Sequence, residues 1–345
     1  MAKIKIAING FGRIGRIFFR YAFGHPDIDI VAVNDLGDFE NMAYLLKYDT
    51  VYGPYEKSVS AKGGSALGGE SGIMVVGGKK IKMIREKDPA LLPWKELDID
   101  IVVESTGAFE SREAASPHLT AGAKRVVITA PARDEITPTS TPNVGEEFLK
   151  LDKITSNASC TTNAATPVMA VMSKNPGVKK AVLNAVHAYT ASQGLVDGPD
   201  KRGDWRRARA AAQNIVPSTT GAALAAAKAV PQLKGKFDGI SLRVPVICGS
   251  IMDFTFITSR PTSVEEINSI FKEAAAEKEW REILAIADEP LVSSDILKNP
   301  HGSIVDLSMT KVVDGDLVKV LAWYDNEWGY ASTLLKHVLA IKKLL

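Results

Sequence analysis

Cysteine is almost missing from this sequence: two occur among 345 residues, Cys160 and Cys248. That scarcity excludes a disulfide framework and a cysteine-built metal site, and it favours a reducing compartment. Charge of one sign is not in excess either, since 42 Lys and Arg stand against 40 Asp and Glu, for a net charge of +2. No basic stripe announces nucleic acid, and there is no acidic tail. Long apolar runs are also lacking. None approaches the roughly 20 residues of a membrane-spanning helix, and Met1-Ala2-Lys3-Ile4-Lys5 carries no signal-peptide core. A cytoplasmic protein is the expectation. No repeat or low-complexity segment occurs, and Gly63 to Gly78 suits a glycine-rich surface hairpin.

What is present reads as a globular chain, 46% hydrophobic and 24% charged, too long for one ordinary core. Two domains follow. Ile4, Ile6 and Ile8 form an apolar strand that ends at Asn9-Gly10-Phe11-Gly12-Arg13-Ile14-Gly15-Arg16, and a helical pattern continues through Ile17, Phe18, Tyr21 and Ala22. This is G-x-G-x-x-G between a strand and a helix, the context in which it cradles a dinucleotide. Gly10 makes the tight turn, Gly12 admits a pyrophosphate to the backbone, and Gly15 lets helix and strand pack closely. The next strand, Ile28 to Val33, ends in Asn34-Asp35, about 20 residues past the last glycine. A carboxylate there accepts from ribose hydroxyls and repels a 2′-phosphate, which selects NAD over NADP; Asp35 also suits a helix cap before Phe39. Asp98 to Glu104 and Lys124 to Thr129 read as further strands around a helix at Ser111 to Gly122. The alternation predicts a doubly wound parallel sheet with its ligand off the strand C-termini, where Thr106, Gly107 and Thr129 sit as crevice or plain turn residues.

Ser156-Asn157-Ala158-Ser159-Cys160-Thr161-Thr162-Asn163 follows a short apolar strand and leads into a helix through Met172. A cysteine at a strand-to-helix junction meets free backbone N–H groups and a helix dipole, a setting that lowers a thiol pKa. The hydroxyls of Ser159, Thr161 and Thr162 suit helix capping or a second anion. Ala181 to Ala188 is a strand carrying His187, a candidate base for Cys160 if folding brings the two together. The polar stretch Ala191 to Asn214 is long enough to be functional, and its arginines suit phosphate. Pro217-Ser218-Thr219-Thr220-Gly221 opens a predicted helix, Ala222 to Val230, whose N-terminus favours an anion. Arg243, among apolar residues of a strand at Ile240 to Pro245, requires a partner. Strands at Gly249 to Thr258, Gly302 to Thr310 and Leu317 to Tyr324, with a helix at Val264 to Lys278, predict a mainly antiparallel second sheet. The amide of Asn326 suits a carboxamide such as that of nicotinamide.

Together these motifs resemble the phosphorylating glyceraldehyde-3-phosphate dehydrogenases over nearly the whole chain. The segments are NGFGRIGR at 9–16, ND at 34–35, ESTG at 104–107, SNASCTTN at 156–163, HAYTASQ at 187–193, RRARAAAQNIVPSTTGAA at 206–223, RVP at 243–245 and WYDNEWGY at 323–330. The resemblance implies an α/β Rossmann dinucleotide-binding domain at 1–159 and a catalytic domain with a mainly antiparallel sheet at 160–328. A C-terminal helix at 329–345 would pack back on the first. It implies Cys160 as nucleophile and His187 as base. Ser159 and Thr161 would lie beside Cys160 in the substrate or phosphate site, and Thr190 and Arg206 would hold the substrate's own phosphate; Thr220 and Gly221 would hold inorganic phosphate, with Arg243 serving both. Gly10, Gly12, Arg13, Ile14, Gly15, Asp35, Lys87, Thr129 and Asn326 would hold NAD, and Leu36 and Pro199 match the NAD-preferring pattern. No metal is implied, and the assembly expected is a homotetramer. The chain departs from the family's usual residues at Ala164, Leu224, Gly198, Lys87 and the stretch Thr137 to Gly145. Erythrose-4-phosphate dehydrogenase, which hydrolyses its thioester, and a non-catalytic binding paralogue are the competing readings.

Overall fold

The computed structural model describes residues 3–63, 71–199, 203–222, 226 and 234–345. The chain forms two units. The first comprises Met1–Ser140, Glu146–Ala158 and Leu334–Leu345; the second comprises Thr141–Gly145 and Ser159–Thr333.

In the first unit, β1 (Ile4–Asn9), β2 (Ile28–Asn34), β3 (Val59–Gly63), β4 (Ser71–Val76), β5 (Lys79–Ile84), β6 (Ile101–Glu104), β7 (Arg125–Ile128) and β8 (Ile154–Ser156) make one sheet. Its order is β3-β4-β5-β2-β1-β6-β7-β8, with β5 through β8 parallel and β3-β4 an antiparallel edge. Every residue of β6 is buried, as near-continuous apolar strands in a parallel sheet require. The helix α1 (Arg13–Ala22) buries Ile17, Phe18, Phe19 and Ala22. A core of Trp94, Ile99, Val102, Val126, Ile128 and Ile154 fills the unit, each large side chain contributing about 1.5–3 kcal/mol on burial. The strand order reverses between β1 and β6, so a crevice opens off their C-terminal ends.

Some details differ from the pattern-based expectation. The second helix, α2 (Phe39–Lys47), is capped by Asp38, whose Oδ1 accepts from the Asn41 N–H at 2.8 Å; Asp35 is not the cap. The predicted helix at Ser111 to Gly122 is two single turns, Arg112–Ala115 and Pro117–Thr120. Pro117 breaks it, having no N–H to bond the preceding turn. Residues 64–70 of the predicted hairpin lie outside the described residues.

The second unit's sheet runs β10-β11-β9-β12-β15-β14-β13. Its strands are β9 (Val178–Ala188), β10 (Val216–Thr219), β11 (Phe237–Val244), β12 (Ser250–Thr258), β13 (Leu284–Ala287), β14 (Ser303–Val313) and β15 (Leu317–Tyr324). It is mainly antiparallel, with β9/β11 and β13/β14 parallel. Alternation along β12 buries Met252, Phe254 and Phe256 beneath the helices Cys160–Lys174 and Val264–Ala276. Val216–Thr219, read from sequence as the approach to a helix, is a strand paired antiparallel with β11. The predicted helix at Ala222 to Val230 lies outside the described residues apart from Ala222 and Ala226. The last helix spans Trp328–Lys342. No helix among the described residues is long and apolar enough to cross a membrane.

Candidate active site

The first unit holds a crevice of about 810 Å³ lined by Gly10, Gly12, Asp35, Lys87, Thr106 and Phe109, among others. Gly10 has φ 92°, and a Cβ there would stand 2.6 Å from the Thr106 nitrogen, so only glycine makes this turn. A Cβ on Gly15 would strike the Gly10 carbonyl. At Gly12 a Cβ would meet no protein atom within 4 Å. Its backbone therefore faces open crevice at the start of α1, where outward N–H groups and the positive dipole end suit a pyrophosphate. Asp35 accepts from the Phe11 N–H on Oδ2 at 2.6 Å and from the Gly37 N–H on Oδ1 at 2.9 Å. Its carboxylate thus ties the glycine turn to the end of β2 while lining the crevice. These residues fit a dinucleotide.

Other predicted cofactor contacts are placed differently. The Arg13 guanidinium pairs with Asp49 and lies 5.9 Å from the Tyr52 ring centroid, so its side chain does not line the crevice. Ile14 lies in the first turn of α1, half-buried and not among the residues that line the crevice. Thr129 gives its hydroxyl to the Glu104 carbonyl at 3.0 Å.

In the second unit, Ser159 caps the Cys160–Lys174 helix, its Oγ accepting from the Thr162 N–H at 3.1 Å. The preceding Ala158 is left-handed at φ 54°, a strained conformation for a non-glycine residue that turns the chain into the helix. Cys160 is the first helical residue, and its Sγ lies 3.3 Å from His187 Nε2. The sequence-predicted pair is therefore in contact. Parallel register sets Arg243 of β11 directly beside His187 of β9. Arg243 Nη1 stands 2.7 Å from His187 Nδ1 and donates to the Ala188 carbonyl at 3.1 Å; that carbonyl is 2.6 Å from Nδ1. Nδ1 thus faces an acceptor, the carbonyl, and a donor, the guanidinium, which call for opposite tautomers; in the Nδ1–H form the Nε2 lone pair faces the thiol.

The electrostatics correct one expectation. Burial pushes the Cys160 thiol up, while Arg243, the Thr161 hydroxyl and the backbone N–H groups of Cys160 and Thr161 pull it down. The net direction is upward, opposite to the lowering expected from the helix N-terminus alone. Burial and Arg243 push His187 down to about 3. Both directions favour the neutral forms, a thiol facing an imidazole.

Residues to which sequence reasoning assigns no role complete the site. Tyr324 OH meets Thr161 Oγ1 at 3.0 Å, and its ring lies edge-on to His187, 5.8 Å between centroids. Ser250 Oγ accepts from the Ala188 N–H at 3.1 Å and donates to Asn326 Oδ1 at 3.0 Å. Oδ1 of Asn326 also accepts from the Gly249 N–H at 3.1 Å. Two donors on one end fix the amide orientation and leave Nδ2 as the donor for a ligand. Tyr324 is visible in sequence only as part of a motif, and Ser250 carries no sequence signal.

The predicted anion residues divide between the half-buried and the exposed. Arg243 faces no carboxylate among the described residues, its buried Nε has no partner, and Arg207, itself paired with Asp204 at 3.1 Å, lies close enough to repel it. A desolvated guanidinium without a counter-ion calls for an anion. Arg206 is exposed, with its guanidinium unpartnered among the described residues. Thr190 Oγ1 meets Ser192 Oγ at 2.8 Å. Thr220 Oγ1 accepts from the Ala222 N–H at 3.2 Å, and a Cβ on Gly221 would meet nothing within 4 Å.

Residues 4–112 match the family model of the glyceraldehyde 3-phosphate dehydrogenase NAD binding domain, and residues 159–326 match that of its C-terminal domain. A glyceraldehyde-3-phosphate dehydrogenase of Zymomonas mobilis is 45% identical over 99% of both chains. The chain belongs to the glyceraldehyde-3-phosphate dehydrogenase family. Another relative, from Mycobacterium avium, is 46% identical over 99% of both chains. A chloroplastic glyceraldehyde-3-phosphate dehydrogenase of Arabidopsis thaliana is 46% identical over 97% of this chain and 82% of its own length. Membership makes the chain an NAD-dependent oxidoreductase acting on glyceraldehyde 3-phosphate, with NAD as its cofactor and residues 4–112 matching its NAD binding domain.

Proposed function

We propose that the protein oxidises D-glyceraldehyde 3-phosphate to 1,3-bisphosphoglycerate with NAD and inorganic phosphate, through a thioester on Cys160. The Cys160–His187 contact beside an anion-seeking Arg243 carries this reading. Cys160 Sγ adds to the aldehyde carbon as His187 Nε2 takes the thiol proton and passes it to the carbonyl oxygen, giving a hemithioacetal. NAD, when bound, supplies the hydride acceptor. His187 Nε2 takes the hydroxyl proton as the hemithioacetal is oxidised to the thioester. Phosphate held by Arg243, with Thr161, Thr220 and Gly221, attacks the thioester carbonyl. The C–S bond breaks, and the leaving sulfur recovers its proton from His187. Ser159, Thr190 and Arg206 hold the substrate's own phosphate. Asn326 Nδ2 orients the nicotinamide carboxamide.

The working form is a cytoplasmic homotetramer. In support of an oligomer, Val182 and Ile240, on neighbouring strands of the second sheet, are each 57% exposed, a patch that a second copy can cover. The chemistry is tested by rapid mixing with substrate and NAD. Replacing His187 with Asn should slow acyl-enzyme formation by roughly 10²–10⁴-fold and leave substrate binding intact. Acylation at the wild-type rate would remove His187 from the mechanism.

A further inference from the structure

We propose that Glu104 and His118, neither of which lines the crevice of the first unit, form a buried positioning pair that holds the NAD-binding wall in shape. The inference rests on the assignment of that crevice to NAD. Glu104, His118 and Trp94 are at most 2% exposed. Among the described residues no Lys or Arg pairs with the carboxylate; neutral dipoles hold it instead. Oε1 accepts from the Thr106 N–H at 2.9 Å and the Thr106 hydroxyl at 2.5 Å, and Oε2 accepts from Asn9 Nδ2 at 2.5 Å and His118 Nε2 at 3.0 Å. An indole N–H only donates, and Trp94 Nε1 stands 3.0 Å from His118 Nδ1. Nδ1 is therefore the acceptor, the ring proton is on Nε2, and a neutral His118 donates to Glu104.

Crevice residues hang from this one carboxylate. The Thr106 hydroxyl, oriented by Glu104, accepts from the Ala108 N–H at 3.1 Å. Phe109 packs edge-on to His118, 6.1 Å between centroids. Asn9 Oδ1 accepts from Asn34 Nδ2 at 2.7 Å, and the Asn34 amide makes two hydrogen bonds to the Glu86 backbone, at 2.8 and 2.9 Å. Asn9, Asn34, Glu86, Thr106, Ala108 and Phe109 all line the crevice. Removing the His118 N–H leaves a buried carboxylate short of a donor, and the cheapest relief is to move Thr106 or Asn9.

The test is calorimetric NAD binding, with steady-state kinetics, on the full chain carrying His118→Phe or His118→Gln. Phe fills the space without either hydrogen bond. The Gln amide restores a donor for Glu104 and an acceptor for Trp94. H118F should weaken NAD binding about tenfold, as expected for one buried hydrogen-bonding group left unsatisfied, and raise KM for NAD in step. Its kcat at saturating NAD should fall less than about twofold, and H118Q should bind within about threefold of wild type. H118F binding NAD like wild type, or H118Q binding as weakly as H118F, would overturn the proposal. Should H118F not fold, nitrogen NMR of the wild-type histidines decides: a neutral Nε2–H tautomer at His118 supports the pair, and an Nδ1–H tautomer overturns it. Wild-type protein that binds no NAD would overturn the cofactor assignment, and this inference with it.

Discussion

Arg243 Nη1 lies 2.7 Å from Nδ1 of His187, so a guanidinium stands against the far side of the imidazole that faces the Cys160 sulfur. One positive charge there does two things. It disfavours a second positive charge on the ring, and it favours a negative charge on the thiol. Arg243 therefore holds His187 in its neutral form while partly offsetting the cost of ionising the half-buried Cys160.

Removing that charge should raise the thiol pKa and shrink the thiolate fraction. In Arg243→Leu, alkylation of Cys160 by iodoacetamide, an uncharged reagent, should slow about tenfold at neutral pH, in proportion to the thiolate lost. Unchanged or faster alkylation would show that Arg243 does not stabilise the thiolate.

Asp35 both lines the crevice and holds the N–H groups of Phe11 and Gly37. Asp35→Asn loses the charge that repels a 2′-phosphate and turns an amide NH₂ toward one of those donors. KM for NAD should rise about tenfold, from one unsatisfied buried group, and the preference for NAD over NADP should narrow. Kinetics with both cofactors measure this; an unchanged ratio would remove Asp35 from cofactor selection.

These two sites differ in how far sequence alone can reach. The glycine turn and Asp35 are legible because their spacing is local and the required backbone geometry singles out glycine. The contact between His187 and Arg243 depends on strand register, which pairs them across β9 and β11. Ser250 and Tyr324 likewise face each other across β12 and β15, and neither type carries a signal at that distance. The upward direction at Cys160 is hidden in the sequence, because the helix N-terminus is visible there and the burial opposing it is not. Pro117 stands in plain view, and its break of the Ser111 to Gly122 helix is legible in principle.

Stability should fall in mild acid because of His337. Burial pushes its pKa down to about 4, against about 6.5 in an unfolded chain. Between those values the unfolded chain binds more protons, so stability rises with pH across the window and is lost as pH falls through it. His187, pushed down to about 3, acts in the same direction. His337→Gln can keep the contact to Thr155 Oγ1, 3.0 Å away in the wild type, and cannot titrate. It should recover about 2 kcal/mol of the loss between pH 7 and pH 5, measured by urea unfolding at both values. An unaltered pH dependence would count against His337 as a source.

The most direct test of the whole account is NADH formation from glyceraldehyde 3-phosphate and NAD, with and without inorganic phosphate. The account predicts fast turnover only when phosphate is present, because the Cys160 thioester waits for the anion that Arg243 holds. Equal turnover without phosphate would contradict it and mean that water, as in a hydrolytic relative, resolves the thioester.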